Sequence, residues 1–425
     1  MNRRVVVTGL GVVAPNGTGI ASFLHAIQNG LTGLKFMPRF KELNFLCQVV
    51  GQPDFEWDCL RDYVPEVTFH GLRGISIGYA IKAAADAWTD AGNLLENAGT
   101  LWNTGCVFGN SVSDTEINKS VISRVDSATS RKLGSRVVEQ LMNSGPAAYV
   151  SGLLGLGNKI VSNSTACATG SQAVLMGYEY IKYGMADRML VGSTEHLDPY
   201  IFGAFDAMRI LSRKFNDAPE KASRPMSASA GGFVPGSGAG ALVLEDLEFA
   251  LQRNAKIYAE ILGGASNSGG QRDGGSMTAP NPEGIIRCIR QALNNTGVSA
   301  DKIDLISGHL TATGADKLEI ENWAKGLCLK KGQFPPVNSL KSMIGHCLSA
   351  AGSIEIVAVI LQIVYGFIHP NINLEDPNPA IEAITGNAAL PVTRVEKDIN
   401  VAVKANFGFG DVNTCLFFSK YKNNG

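Results

Sequence analysis

The chain has 425 residues, of which 45% are apolar and 18% charged, a balance that describes an ordered globular protein with room for a large core and two subdomains. Its formal net charge of −1 provides no global field to recruit nucleic acid or an anionic membrane, so neither is expected as a partner. Eight cysteines without a CxxC pair point to neither a disulfide framework nor a zinc site, and free thiols suit a reducing, cytoplasmic setting.

The opening MNRRVVVTGLGVV carries two arginines and an apolar run, as a signal peptide does. The run is short, is broken by Gly9 and Gly11, and lacks a small-x-small cleavage site before Pro15, so a buried first strand over 4–8 is the reading, with a turn at Gly9-Leu10-Gly11. Gly9, Gly11 and Ala14 loosely fit a dinucleotide fingerprint. Pro15-Asn16-Gly17 follow where the phosphate-binding helix should already run, and no acidic residue ends a second strand about 20 residues on, so NAD binding is set aside. A helix is expected over 20–27, an irregular surface connection over 31–65, and a strong helix over 75–88, where Ala84 and Ala85 permit close packing. A strand over 105–109 ends in Asn110-Ser111. The polar stretch 114–136 reads as a solvated excursion of the kind that serves dimers or binding clefts.

The segment VSNSTACATGSQAV, 161–174, follows a short strand at Lys159-Ile160-Val161. Cys167 sits there among small neighbours, Thr165, Ala166, Ala168, Thr169 and Gly170, and then Ala173, Val174, Leu175, Tyr178 and Ile181 recur at helical spacing. This places Cys167 on a tight strand-to-helix turn, near a helix N-terminus whose N–H groups and dipole favour a thiolate. A buried cysteine is more often inert packing, so the rest of the chain has to decide. Strands follow at 189–191, 238–244 and 256–262, the last opening a second half. That half continues with a helix over 283–293, a strand over 303–306, helices over 317–326 and 350–364, and strands over 402–405 and 414–418. Strands alternating with helices indicate an α/β fold with crossover connections. No repeat is visible by residue identity, and no run after the first strand reads as long enough to span a bilayer.

His309 opens His309-Leu310-Thr311-Ala312-Thr313-Gly314, just after the strand that ends at Ile306. His346 closes Asn338-Ser339-Leu340-Lys341-Ser342-Met343-Ile344-Gly345-His346, ahead of the small-residue helix start Ala350-Ala351-Gly352. Either histidine alone is ordinarily structural. Both stand at strand-to-helix junctions, as Cys167 does, and ligands collect at that edge of α/β sheets. Cys, His and His at three such junctions favour chemistry.

These segments resemble the β-ketoacyl-acyl-carrier-protein synthases of the elongating Cys-His-His kind. The likeness runs from Arg3-Arg4-Val5-Val6-Val7-Thr8-Gly9-Leu10-Gly11 to the Phe407-Gly408-Phe409-Gly410 loop. STACATG around Cys167, Lys341-Ser342 with Gly345-His346, Arg209-Ile210-Leu211-Ser212, Ser223-Arg224-Pro225 and Thr278-Ala279-Pro280-Asn281-Pro282-Glu283-Gly284 also carry it. The resemblance implies the thiolase fold, an α/β protein of two similar halves in a five-layered α/β/α/β/α sandwich. It divides here into 1–250, carrying the nucleophile, and 251–425, carrying the histidines, the lysine and the gating loop.

It also implies the chemistry: decarboxylative condensation of an acyl-enzyme with malonyl-acyl-carrier protein in fatty acid elongation. The enzyme would be a homodimer, with no cofactor beyond the carrier's phosphopantetheine arm and no metal. Cys167 would be the nucleophile, with His309 and His346 donating to the enolate oxygen. Lys341 would pair with Glu355 to hold the histidines, with Glu319 a second acidic neighbour. Backbone N–H groups of Cys167 and Phe409 would form a second oxyanion hole, and Phe409 would gate the pocket. Thr311 and Thr313 match pantetheine contacts and Val112 the residue limiting acyl-pocket depth. Phe205, Phe407 and Thr278 match other substrate contacts, and Arg209 a contact for the acidic carrier.

The chain departs from the family at several places. His-Gly-Thr is His309-Leu310-Thr311, and the run to Asp316 is one residue short. The acidic segment after Pro225 is Met226-Ser227-Ala228-Ser229-Ala230-Gly231, Gly-Glu-Gly is Gly236-Ser237-Gly238, and the glycine after the gate is Asp411. Such divergence leaves room for a specialised polyketide or polyene ketosynthase. A non-condensing chain-length or scaffold subunit is disfavoured by the intact Cys167, and a degradative thiolase by the His346 position.

Overall fold

The structure, a computed structural model, describes residues 3–93, 95, 99–270 and 277–422. Among these residues, ten strands lie along one hydrogen-bonded path, with the two-residue strand Gly17–Thr18 paired beside the N-terminal one. The first half contributes β1 (Val5–Ala14), β2 (Thr104–Asn110), β3 (Ile160–Val161), β4 (Arg188–Glu195) and β5 (Gly238–Asp246). The second contributes β6 (Ala259–Ser268), β7 (Leu305–Ser307), β8 (Val337–Asn338), β9 (Val401–Gly408) and β10 (Val412–Lys420). Their order is β8-β7-β9-β10-β6-β1-β5-β4-β2-β3.

In the first half β2 is parallel to β3 and β4, while β5 is antiparallel to β4 and β1. In the second, β7 is parallel to β8 and β9, while β10 is antiparallel to β9 and β6. The halves therefore share one topology although their residues do not repeat. They join through a short antiparallel contact of β1 with β6, from Val5↔Ile261 to Val7↔Ala259.

Seven helices matter here: α1 (Ile75–Asp90), α2 (Thr115–Asp126), α3 (Thr169–Lys182), α4 (Pro199–Ala207), α5 (Pro282–Thr296), α6 (Ala315–Leu327) and α7 (Ala351–Tyr365). α1 covers β1 and β5, α5 covers β6 and β10, and α6 packs on α5. Between the half-sheets, α3 and α7 each touch strands of both halves, giving the α/β/α/β/α layering. Two glycines let these central helices cross at backbone contact. A Cβ on Gly170 would collide with the Ser353 amide, and one on Gly352 with the Ser171 amide.

Helix α7 is apolar on all sides because it is enclosed on all sides, as a central-layer helix must be. With the turn before it, Leu348–Tyr365 is long and apolar enough to cross a bilayer, which corrects the expectation that no later run would be; 89% of this stretch is buried, as in a core helix. Gly9 and Gly11 are not a turn but lie inside β1, where a Cβ on either would collide with the Ala87 or Ala83 carbonyl oxygen of α1. They admit the helix, not a phosphate. The connection over 31–65 contains an antiparallel pair, Leu34–Phe36 with Val49–Gly51, and the short helix Pro38–Glu42, pieces too brief to show a period. Within 114–136 lies α2, capped by the Asp114 carboxylate accepting from the Glu116 and Ile117 amides. None of its residues is fully buried, and its composition is polar enough to read as a solvated run.

Candidate active site

Between the end of β3 and the start of α3 the backbone turns through Ala166 at φ +48°, a left-handed geometry that costs an alanine about 1–2 kcal/mol. Thr169 holds the turn: its hydroxyl accepts from the Thr165 amide (2.8 Å) and donates to the Ala166 carbonyl (2.7 Å). Cys167 stands on this turn, two residues ahead of the helix. His346 stands at the matching place ahead of α7, after the short helix Lys341–Ile344 and Gly345 at φ +70°. Its Nε2 lies 3.0 Å from Cys167 Sγ. The His309 ring packs edge-on against it, centroids 5.2 Å apart, and the sulfur and one nitrogen of each ring lie within 4.8 Å of one another. By distance these three donors could close on a soft metal ion, at the expense of the thiol.

His309 leaves β7 through a loop held by two carboxylates of α6. Glu319 accepts from the His309 amide (2.6 Å), the Leu310 amide (2.7 Å) and Trp323 Nε1 (3.2 Å). Asp316 accepts from the amides of Thr311 (2.8 Å), Ala312 (3.1 Å) and Met226 (2.8 Å). The shortened loop thus closes with Leu310 at φ +21° and Ala312 at φ +63°. Burial pushes Glu319 up to about 7 and Asp316 up to about 6, against the pull of these amides.

Behind the histidines, Glu355 pairs with Lys341, and also with Lys404 at 2.7 Å. Both lysines hold its carboxyl down to about 2 despite burial. The Asn406 amide donates to Glu355 Oε2 (3.1 Å), and its carbonyl oxygen accepts from Ser171 Oγ (2.6 Å). A carboxylate cannot donate, so the amide's NH2 faces Glu355, and it also lies 3.2 Å from His309 Nδ1. That makes Nδ1 an acceptor and places the His309 proton on Nε2. Nothing among the described residues fixes the tautomer of His346 in this way, because its buried Nδ1 has no partner.

Burial first, then Lys341, depress both imidazoles well below their ordinary range, so both rings are neutral. Burial pushes the Cys167 thiol up to about 12, with Glu195 adding to it and Lys341 and the Phe409 amide opposing. The helix end that favours a thiolate is thus opposed by lost hydration at this half-buried sulfur, which faces a neutral imidazole.

A cavity of about 390 Å³ opens at Cys167 and is lined by His309, His346, Glu319, Thr311, Thr313, Phe205, Phe407, Phe409 and Thr278 among the residues singled out in the sequence. Phe409 faces Phe205, ring centroids 6.0 Å apart. Arg209 is exposed between Met208 and Ile210, which line the cavity mouth. Val112 does not line this cavity; it is half-buried, and its carbonyl accepts from Asn110 Nδ2 (2.7 Å). Lys404 and Asn406 were missed in the sequence. A lysine interrupting the apolar strand Val401-Ala402-Val403-Lys404-Ala405 is the signal that could have found the first.

Residues 2–250 match the family described as beta-ketoacyl synthase, N-terminal domain, and residues 258–375 match beta-ketoacyl synthase, C-terminal domain. The chain is 35% identical to a putative mitochondrial 3-oxoacyl-[acyl-carrier-protein] synthase of Schizosaccharomyces pombe, covering 99% of each chain. Among solved structures, a beta-ketoacyl synthase from Burkholderia phymatum aligns with a TM-score of 0.90 at 30% identity, over 99% of this chain and all of that one. A type II polyketide ketosynthase bound to its acyl-carrier protein and a hexaketide aligns with a TM-score of 0.85 at 30% identity, over 99% of this chain and 100% of that one.

Proposed function

The chain belongs to the β-ketoacyl synthase family, whose members condense acyl groups, and from that premise we propose how its residues share the work. The observation that carries the reading is the thiol of Cys167, 3.0 Å from His346 Nε2, with His309 completing the cluster. Cys167 Sγ attacks the thioester carbonyl of an acyl-carrier protein, giving up its proton through His346 to the departing pantetheine thiolate. The acyl group is then held on sulfur. A malonyl thioester enters next, its pantetheine arm beside Thr311 and Thr313. Its carboxylate leaves as CO2, and the electron pair of the broken C–C bond becomes an enolate. Nε2–H of His309 donates to the enolate oxygen, and His346 joins it in the Nε2-protonated form that its unfixed tautomer allows once it has passed on the thiol's proton. The enolate carbon attacks the acyl thioester, the sulfur of Cys167 departs, and a 3-oxoacyl-carrier protein is formed.

Backbone N–H groups of Cys167 and Phe409 serve the oxyanion of acyl transfer. They are close neighbours: a Cβ on Gly408 would stand 3.2 Å from the Cys167 amide nitrogen. Phe409, with Phe205 and Phe407, gates the cavity, and Thr278 flanks its mouth. Exposed Arg209 receives the acidic carrier. The reading divides the chain at 250/251 into a nucleophile half and a histidine half, requires no cofactor besides the carrier's phosphopantetheine, and places the enzyme in the cytoplasm. Strand β3 ends the sheet with Ile160 exposed, and Asn143, next to exposed Met142, accepts from Ser162 Oγ beside it. This unpaired edge supports a homodimer formed through β3; sedimentation as a monomer at micromolar concentration would overturn that assignment.

The test is intact-protein mass after incubation with a panel of acyl-carrier thioesters, beside Cys167→Ser. Wild type should gain one acyl group on Cys167 and then lose it on addition of malonyl-carrier protein, whereas the Ser variant gains none. Acylation elsewhere, with condensation intact in the variant, would overturn the mechanism. A second reading, a polyketide or polyene ketosynthase, draws on the polyketide relative; loading of unsaturated or polyketide chains in preference to saturated ones would favour it.

A further inference from the structure

Strand β9 is buried, yet it carries Lys404 with no exposed surface. Its ammonium lies 2.7 Å from Glu355 Oε2 and donates to the carbonyls of Gly308 (2.9 Å), Ala405 (2.9 Å) and, at 3.4 Å, Ser307. A buried ammonium is costly unless paired, and the only carboxylate in ion-pair contact with it among the described residues is already paired with Lys341. Lys404 is therefore not needed to neutralise Glu355, and its presence calls for another reason. The carbonyls it gathers supply one. Ser307 ends β7 and Gly308 follows it directly ahead of His309, so His309 is gripped on three sides: Lys404 holds the preceding carbonyl, Glu319 holds its amide, and Asn406 faces its Nδ1.

We propose that Lys404 is a positioning residue for malonyl decarboxylation, aiming His309 through the carbonyls that lead into it and adding a second positive charge behind the histidine pair. The charged groups around it are Glu355 on α7, Lys341 on the helix before His346, and Glu319 on α6. His309, His346, His369 and Cys415 of β10 feel its charge in turn. Glu355 is answered once by Lys341, so the second ammonium biases the site against imidazolium. Burial pulls the Lys404 ammonium down to about 8, with Glu355 opposing. Its charge is present below that pH and fades above it.

The inference rests on the condensing reading of this site. The experiment follows acyl loading and malonyl-carrier decarboxylation separately, across pH, in wild type, K404M and K404R, with near-ultraviolet circular dichroism to confirm folding. Wild-type decarboxylation should fall as pH rises through about 8. K404R keeps its charge, so its decarboxylation should lack that alkaline limb. K404M should decarboxylate at least about tenfold more slowly than wild type at neutral pH, with loading changed less than about threefold, as loss of a donor-aiming contact implies. Equal decarboxylation in K404M and wild type, or parallel loss of loading and decarboxylation with an unshifted pH profile, would overturn the proposal. If K404M does not fold, an alkaline limb retained in K404R overturns it instead. Wild type that never decarboxylates malonyl-carrier protein would fail the condensing reading itself, a different outcome.

Discussion

After β3 the chain turns into α3 and presents Cys167; after β8, the equivalent strand of the second half, it turns into α7 and presents His346. After β2 it presents Ser111, and after β7, the equivalent strand, His309. The scaffold is duplicated, and the charge is not. Glu195, the buried acid beside Ser111 in the first half, accepts from Ser111 and Ser349, and burial pushes its pKa up. Glu355, the buried acid behind the histidines in the second half, sits between two lysines that hold it down to about 2. One topology thus sets a hydroxyl-bonded acid on the nucleophile's side of the site and a lysine-paired acid on the donors' side. The two are stitched at Ser171 of α3, whose hydroxyl fixes the Asn406 amide that faces His309.

The largest test of this division removes one histidine at a time. His309→Ala should lower malonyl decarboxylation by roughly 10²–10³ and leave acyl loading intact, since His309 belongs to the donor side alone. His346→Ala should lower decarboxylation similarly and also slow loading by about 10², because its Nε2 is the partner of the thiol. Single-turnover loading and CO2 release read the two steps apart. Identical effects in both variants would erase the distinction between the rings.

The buried acids give the next contrast. Glu355→Gln leaves two buried ammoniums without their carboxylate and should cost about 3–5 kcal/mol in urea unfolding. Glu195→Gln exchanges one hydrogen-bonding group for another among hydroxyls and should cost only about 1 kcal/mol. Equal losses would mean that the halves do not differ in charge as described. The shared scaffold predicts a symmetric effect instead. Gly170→Ala and Gly352→Ala each drive a methyl into the other helix's backbone, and each should cost roughly 1–3 kcal/mol. Markedly unequal costs would show that the crossing yields on one side.

These contrasts also mark what was legible in the chain. Long periodic helices such as α1 and α3 were, because one face is apolar; α2 was not, because none of its residues is fully buried and its composition is polar. Cys167, His309 and His346 stood out at strand-to-helix junctions, and the Lys341–Glu355 pair came through resemblance. Lys404 and Asn406 act across strands, by contacts about 50 to 100 positions apart in sequence, where spacing carries no signal. At Cys167 the turn's sequence shows the helix end that favours a thiolate and not the desolvation that opposes it. Val112 matches the pocket-depth residue through the resemblance alone, and the cavity at Cys167 does not reach it.

The smallest expected effect concerns the loop between β9 and β10, which has the nucleophile on one side and the second half's outer helix on the other. Its departure from the family, Asp411, is 3% exposed, so it does not simply face solvent. Its φ of +59° is the left-handed geometry that glycine takes freely and aspartate tolerates. Its Oδ1 accepts from the Asn281 amide (3.2 Å), its carbonyl accepts from the Gly269 amide (2.9 Å), and the Gly410 amide donates to the Met277 carbonyl (2.8 Å). The loop bearing Phe409 is thus tied to the segment ahead of α5, and Gly269 lies so close that a Cβ there would collide with the Asp411 carboxylate. Asp411→Gly removes the side-chain tie and frees the backbone while keeping both backbone bonds. Losing one such bond, about 1 kcal/mol, should let Phe409 swing more readily and speed single-turnover loading of Cys167 about fivefold. Decarboxylation should not change, because no histidine contact involves this carboxylate. Gly269→Ala attacks the same tie from the other side, by displacing the carboxylate, and should speed loading in the same direction. If both variants load at the wild-type rate, the tie does not restrain the gate, and loading is governed by the thiol's proton alone.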